Sequence, residues 1–223
     1  MQVVRRGWLA FALVWGAGES VAAQSRVTIG RLQYDGGGDW YANPSSLPNL
    51  LKEIDLRTTI PVESREVALT LSDARLWDVP YLYLTGHGNL RWSEAELVTL
   101  RRYLARGGFL HIDDSYGMDE SVRREVLRLF PDNPLVEVPL EHPIYQVVYR
   151  FPRGLPKIHE HDNKPAQGFG IFLDGRLVLF YSYQSDLGDG WEDPQVHRDP
   201  PAIRDAAIRM GVNLVAYAVG FAR

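Results

Sequence analysis

The middle of the chain alternates strand-like and helix-like segments, and that order constrains the fold more than any other feature. Pro80 to Thr85 (Pro-Tyr-Leu-Tyr-Leu-Thr) is a short apolar run bounded by turn residues, the pattern of a central parallel strand. Ser93 caps a helix, Glu96 completes a capping box, and Leu97, Leu100 and Leu104 recur at helical spacing. Gly107-Gly108 ends that helix, and Phe109 to Ile112 reads as the next strand. Met118 to Phe130 reads as another helix, stopped by Pro131. Upstream, Val27 to Leu32 and Glu66 to Leu71 read as strands. Between them a helix runs from Ser45 or Ser46 to about Leu56, with Pro48 in its first turn. Asp73 to Trp77 reads as a short turn or helix. Strands joined by helices require crossovers, which are nearly always right-handed. They predict an α/β three-layer sandwich, a mostly parallel sheet with helices on both faces.

The second half follows a different pattern. Leu135 to Val138 and Gln146 to Tyr149 are expected strands. Phe169 to Leu173 and Arg176 to Tyr183 flank Asp174-Gly175, a two-residue hairpin signal, so the C-terminal part should contain a β-hairpin. Asp186 to Pro201 reads as a long polar loop. Ala202 to Phe221 reads as a final helix, which Arg209 and Asn213 mark as buried rather than membrane-spanning. The connections at 153–168 and 184–201 are longer than simple links need, which points to function.

The N-terminus has the three parts of a secretory signal. Arg5 and Arg6 precede an apolar run from Trp8 to Gly16, and Val21-Ala22-Ala23 offers a cleavage site before Gln24. That run is far short of the ~20 residues that span a bilayer. Residues 1–23 are therefore expected to be a signal peptide and residues 24–223 a single domain, periplasmic or secreted. No cysteine follows the run, which excludes a lipid-modified N-terminus. The complete lack of cysteine also excludes disulfides, thiolate metal sites and a cysteine nucleophile. The net charge is −4 and the Lys and Arg residues form no basic stripe, so nucleic acid is not an expected partner.

In open α/β sheets ligands bind beyond the carboxyl ends of the strands. Three such ends carry residues that a buried strand does not need. They are Asp35 to Trp40, Gly86-His87-Gly88, and Asp113-Asp114-Ser115. His87, Asp113 and Asp114 are the candidate catalytic residues, and Asp35, Asp39 and Trp40 candidate ligand contacts. Glycines for tight turns and aspartates as helix caps are the plainer account of the same residues. Asp113 and Asp114 should point to opposite faces, with His111 sharing the face of Asp113 as a core or supporting histidine. There is no Gly-x-Ser-x-Gly elbow and no Walker A motif.

Two further clusters stand in the long loops. His159-Glu160-His161-Asp162 places two imidazoles on one side of an extended segment. His159, His161 and Asp162 are the expected ligands of a zinc-like divalent metal, with His142 or Glu141 as alternatives to the aspartate. Asp186, Asp189 and Trp191 lie in Asp-Leu-Gly-Asp-Gly-Trp-Glu-Asp. That stretch lacks the spacing and closing glutamate of an EF-hand but suits sugar binding, an aromatic face beside acids.

These motifs together resemble the family catalogued as domain of unknown function 4159. The resemblance rests on Leu84-Thr85-Gly86-His87-Gly88, on Ser93 through Asp114, and on Glu141-His142-Pro143-Ile144-Tyr145. It also rests on Gly154 through His159, Asp186 through Glu192, Met210-Gly211 and Asn213. It covers Val27 to Phe221 and implies a fold similar to class I glutamine amidotransferase-like domains, a flavodoxin-like sandwich. Catalytic members of that wider group carry a cysteine at a strand-to-helix elbow. The Asp113-Asp114-Ser115 turn lies about where the elbow is expected, and no cysteine is present to fill it. Three functions are therefore open. One is a domain that binds a small polar ligand, a carbohydrate or envelope component. The others are a metal-dependent hydrolase and a non-catalytic interaction module of an envelope complex.

Overall fold

The computed structural model describes residues 26–220, so the expected signal peptide lies outside the described residues. Strand β1 (Ile29–Leu32) leads to helix α1 (Ser46–Arg57) and strand β2 (Val67–Leu69). A 3-10 turn over Ala74–Asp78 precedes β3 (Tyr81–Gly86), which is followed by α2 (Glu94–Ala105), β4 (Phe109–Asp114) and α3 (Asp119–Leu129). Then come β5 (Val136–Glu137), β6 (Gln167–Leu173), β7 (Arg176–Tyr183), two short helices α4 (Leu187–Trp191) and α5 (Pro194–His197), and α6 (Pro201–Gly220). The protein is an α/β structure with one seven-stranded mixed sheet in the order β2-β1-β3-β4-β7-β6-β5. The first five in that row pair in parallel, and β6 pairs antiparallel with both β7 and β5.

Every residue of β3 and β4 is buried, as a central strand requires. Alternation sends Tyr81 and Tyr83 to one face and Leu82 and Leu84 to the other. On the first face they join Leu47, Leu50, Leu51 and Ile54 of α1, Trp191 of α4, and Met210 and Leu214 of α6. On the second they join Leu97, Leu100 and Leu104 of α2 and Val122, Val126 and Leu129 of α3. Each large aliphatic side chain so buried contributes roughly 1.5–3 kcal/mol. The capping box of α2 is formed: Ser93 N donates to Glu96 Oε2 at 2.8 Å and Glu96 N to Ser93 Oγ at 3.3 Å. The β6–β7 hairpin turns on Asp174 (φ 49°) and Gly175 (φ 79°), the positive pair that a two-residue turn of this hand demands.

Two segments depart from expectation. Residues 146–149 form no strand. The buried Asn213 of α6 takes the place of a strand partner, accepting from Val148 N and Tyr149 N and donating to Ile144 O and Tyr149 O. The segment 186–201 is not an open loop either. It holds α4 and α5, and Leu187, Gly188, Gly190 and Trp191 are buried against α1 and α6. No helix among the described residues is long and apolar enough to cross a membrane.

Candidate functional site

The sheet order sets the carboxyl ends of β1, β3, β4 and β7 side by side, and the polar residues of the sequence gather there. At the end of β4, Asp113 is fully buried and uses both oxygens. Oδ1 accepts from Ser182 Oγ at 2.5 Å and Leu187 N at 3.3 Å, while Oδ2 accepts from Tyr83 Oη at 3.1 Å and Gly188 N at 2.6 Å. Burial pushes its carboxyl up to about 7, against the pull of the bonds from Ser182 and Gly188. Behind it, Ser182 meets His111 Nε2 at 2.8 Å and His111 Nδ1 meets Tyr81 Oη at 2.9 Å. Burial holds His111 down to about 3, so the ring is neutral and belongs to the interior. Asp114 points the other way, as pleat geometry predicts. It accepts from Tyr116 N and Met118 N, both at 3.0 Å, and from Tyr181 Oη at 3.1 Å, and so caps the turn into α3.

Beyond β7 the backbone turns left-handed at Asp186 (φ 59°) and drives its carboxylate inward. The 153–168 loop folds onto this point: Ile158 N donates to Ser185 O at 3.0 Å and Ser185 Oγ to Pro156 O at 2.6 Å. The result is a cluster of three histidines and three aspartates. Asp186 Oδ2 lies 2.6 Å from His161 Nε2 and 3.8 Å from His159 Nδ1. His159 Nδ1 lies 3.0 Å from Asp189 Oδ2, and its Nε2 lies 3.0 Å from Asp199 Oδ1. His197 Nε2 stands 3.9 Å from Asp189 Oδ2, and Asn43 Nδ2 donates to Asp189 Oδ1 at 2.6 Å. The bond to Asp189 outweighs burial and raises His159 to about 9. Burial, reinforced by the charge of Asp189, pushes Asp186 up to about 7. Burial works against Asp189 too, yet its bonds from His159 and Asn43 hold it below the usual carboxylate range. Two buried oxygens of this cluster, Asp186 Oδ1 and Asp199 Oδ2, have no hydrogen-bond partner.

Two triads in the cluster have donor atoms within 4.8 Å of one another, His159–His161–Asp186 and His159–Asp189–His197. The two histidines read from the sequence as ligands are thus together, and the carboxylate beside them is Asp186. Asp162 turns away to accept from Tyr116 Oη at 3.1 Å and Gln184 Nε2 at 3.4 Å. His142 lies elsewhere, its Nδ1 accepting from Ile144 N and its ring against Tyr217 and Phe172. Trp191, read as a sugar platform, is in the core instead. It is 0% exposed and its indole N–H donates to Ala207 O at 2.8 Å. Tyr116 (φ 97°) stacks on His161 with ring centroids 4.5 Å apart and 27° between planes.

A second polar group occupies the β1–β3 end, where successive connections leave the sheet in opposite directions. Asp39 Oδ1 accepts from His87 N, and Asp39 Oδ2 lies 3.1 Å from His87 Nδ1. Asp35 O accepts from Arg91 N at 2.7 Å, and Trp40 packs edge-on to Tyr41. The strand-end candidates therefore divide into the His87 group and the Asp186 group.

Sequence reasoning missed His197, Asp199, Asn43 and the buried Arg31. Arg31 is 5% exposed, ties down Ala42 O and Asn43 O at 2.7 and 3.1 Å, and so sets the Asn43 contact to Asp189. His197-Arg-Asp199 stood in plain view, within the segment expected to be a long polar loop, but outside the motifs singled out there.

No curated protein matches the chain. A family model described as Domain of unknown function (DUF4159) matches residues 28–219, nearly the whole described span, and the chain belongs to that family.

Proposed function

We propose that this protein is a metal-dependent hydrolase. In this reading it holds a divalent ion at the carboxyl ends of β4 and β7, on His159 Nδ1, His161 Nε2 and Asp186, with Asp189 and His197 in reach. One observation carries the reading: a fully buried carboxylate, Asp186, lies between two imidazoles and keeps an oxygen without any donor. A buried carboxylate oxygen left without a donor costs about 1–3 kcal/mol, and a cation bound to it removes that cost. The donor set fits. Two imidazoles and a carboxylate suit zinc or a similar ion. Asp199 would keep the proton on His159 Nε2 and turn Nδ1 to the ion, the usual carboxylate–histidine–metal arrangement. Without metal, a proton on Nδ1 shared with Asp189 stands in for it. A bound ion would supply Lewis acidity toward a carbonyl or phosphoryl oxygen. The protein's own residues bind and orient: Asp113 fixes the Leu187 and Gly188 amides next to Asp186, and the Tyr116 ring covers His161.

The reading as a binder of a small polar ligand keeps support from the β1–β3 end, where Asp35 is exposed and Asp39 and Trp40 are partly exposed. The row β2-β1-β3-β4, with β7 in fifth place, supports a three-layer, flavodoxin-like arrangement similar to glutamine amidotransferase-like domains. The tripartite N-terminus supports export.

The test is titration of chelator-stripped protein with Zn²⁺ or Mn²⁺. One ion should bind per chain, and at a hundredfold excess over Kd it should stabilise the fold by about 2.7 kcal/mol. Asp186→Asn should lose both effects. Absence of binding in the wild type would remove the reading.

A further inference from the structure

We propose that Asp39 and His87 form a proton-transfer pair beyond the carboxyl ends of β1 and β3, with His87 Nε2 as general base toward a water or hydroxyl of a polar, hydrolysable substrate. The hydrolytic use rests on the metal-centre reading, and the pair itself does not.

The topology places the pair. β2 and β3 lie on opposite sides of β1, so successive connections leave the sheet in opposite directions at the ends of β1 and β3, the position where open α/β sheets bind ligands. The backbone approach there is close. A Cβ at Gly86 (φ 146°) would lie 2.3 Å from Tyr34 Oη and 2.9 Å from Asp39 Oδ1, and one at Gly38 would lie 2.9 Å from His87 O. Only because both sites are glycine can one carboxylate reach both ends of His87. Its Oδ1 accepts from the backbone N–H and its Oδ2 from the ring.

The chemistry follows from the inventory of donors. An ionised carboxylate only accepts, so in the neutral ring the proton sits on Nδ1 and Nε2 carries the lone pair. No described residue bonds to Nε2, and the side chain is 55% exposed. A turn clamp would need only the bond to the backbone nitrogen. The second bond fixes the tautomer and orientation of the ring, as an aspartate does for a catalytic histidine. The turn after β4 links this pair to the Asp186 cluster. A Cβ on Gly117 would lie 4.0 Å from Gly88 N, and the adjacent Tyr116 stacks on His161.

The step balances without another reactant. Water gives a proton to Nε2 as its oxygen bonds to a carbonyl carbon or phosphorus. The bond to the leaving oxygen then breaks, and the imidazolium returns the proton to that oxygen.

Diethyl pyrocarbonate acylates an unprotonated imidazole nitrogen and so reads Nε2 directly. The experiment follows the rate at each histidine of the full chain by mass spectrometry, with and without one equivalent of Zn²⁺. Ring ¹⁵N spectra of the same samples report the tautomer. His87 should react fastest, with its proton on Nδ1. In Asp39→Asn the amide NH₂ faces Nδ1, the proton moves to Nε2, and the rate should fall about fivefold, the upper end for an ion pair open to solvent. Zinc should protect His159 and His161 and leave His87 unchanged. A wild-type ring protonated on Nε2, or a His87 rate no higher than that of exposed His197, would overturn the pair whether or not the variant folds. Missing zinc protection beside an activated His87 would overturn the metal centre alone.

Discussion

Replacing Asp113 with asparagine keeps the shape of the side chain and reverses half of its hydrogen bonding. Each carboxylate oxygen accepts from one hydroxyl and one backbone N–H: Ser182 and Leu187 on one side, Tyr83 and Gly188 on the other. The NH₂ of asparagine must face one of these pairs. A hydroxyl can turn and accept, but a backbone N–H cannot, so one buried amide loses its partner. The expected cost is about 1–3 kcal/mol, or a fall of roughly 2–12 °C in Tm for a protein of this size. Leu187 and Gly188 directly follow Asp186, so divalent-metal affinity should also fall, by roughly tenfold or more. The sign of the pH dependence is fixed as well. Burial raises Asp113 to about 7 in the folded protein, above its unfolded value. Its contribution is therefore complete below about pH 4 and is lost as pH rises through 7. Asparagine does not titrate, so the gap in Tm between wild type and variant should narrow from pH 5 to pH 8. Thermal melts followed by circular dichroism, with chelator present, measure both quantities. An unchanged Tm, or a gap that widens with pH, would refute the argument.

Other perturbations separate structure from chemistry. Trp191→Ala should cost about 3–5 kcal/mol by leaving a cavity among α1, α4 and α6, and simple sugars should leave wild-type tryptophan fluorescence unchanged; a sugar-quenched Trp191 would contradict its burial. His159 is raised to about 9, so in metal-free protein its contribution is complete below about pH 6.5 and is lost as pH rises through 9. Denaturation curves from pH 6 to 10 should converge for wild type and His159→Gln, and parallel curves would count against the ion pairs. Gly86→Ala should destabilise by roughly 1–3 kcal/mol through strain at a positive φ and push Tyr34 and Asp39 away, separating Asp39 from His87, visible as loss of the Nδ1 proton signal of His87. Retention of that signal would show that the close approach is not required.

Local signals in the sequence were strong enough to place the core elements. The apolar run at Tyr81–Leu84, the Ser93–Glu96 capping box and Asp174-Gly175 each act within a few residues, and each formed as read. What stayed hidden depends on distant partners. Residues 146–149 look like a strand, but Asn213, more than 60 positions away in sequence, takes up their backbone groups. The segment 186–201 looks solvated because its carboxylates are many. Asp186, Asp189 and Asp199 turn inward because His161, His159 and Asn43 meet them there. Spacing brought out His159 and His161 but not their aspartates. Asp162 is next in sequence, while Asp186 is brought in by the end of β7 and a left-handed residue that composition does not announce.

Metal content tests the central claim most directly. The full chain would be purified without chelator or histidine tag and assayed by elemental analysis beside His159→Ala/His161→Ala and Asp186→Asn. Near-stoichiometric divalent metal in the wild type, lost in both variants while they remain folded, is the predicted result. Metal-free wild type whose stability does not respond to added Zn²⁺ or Mn²⁺ would contradict the account and leave the cluster as a network of histidine–aspartate ion pairs.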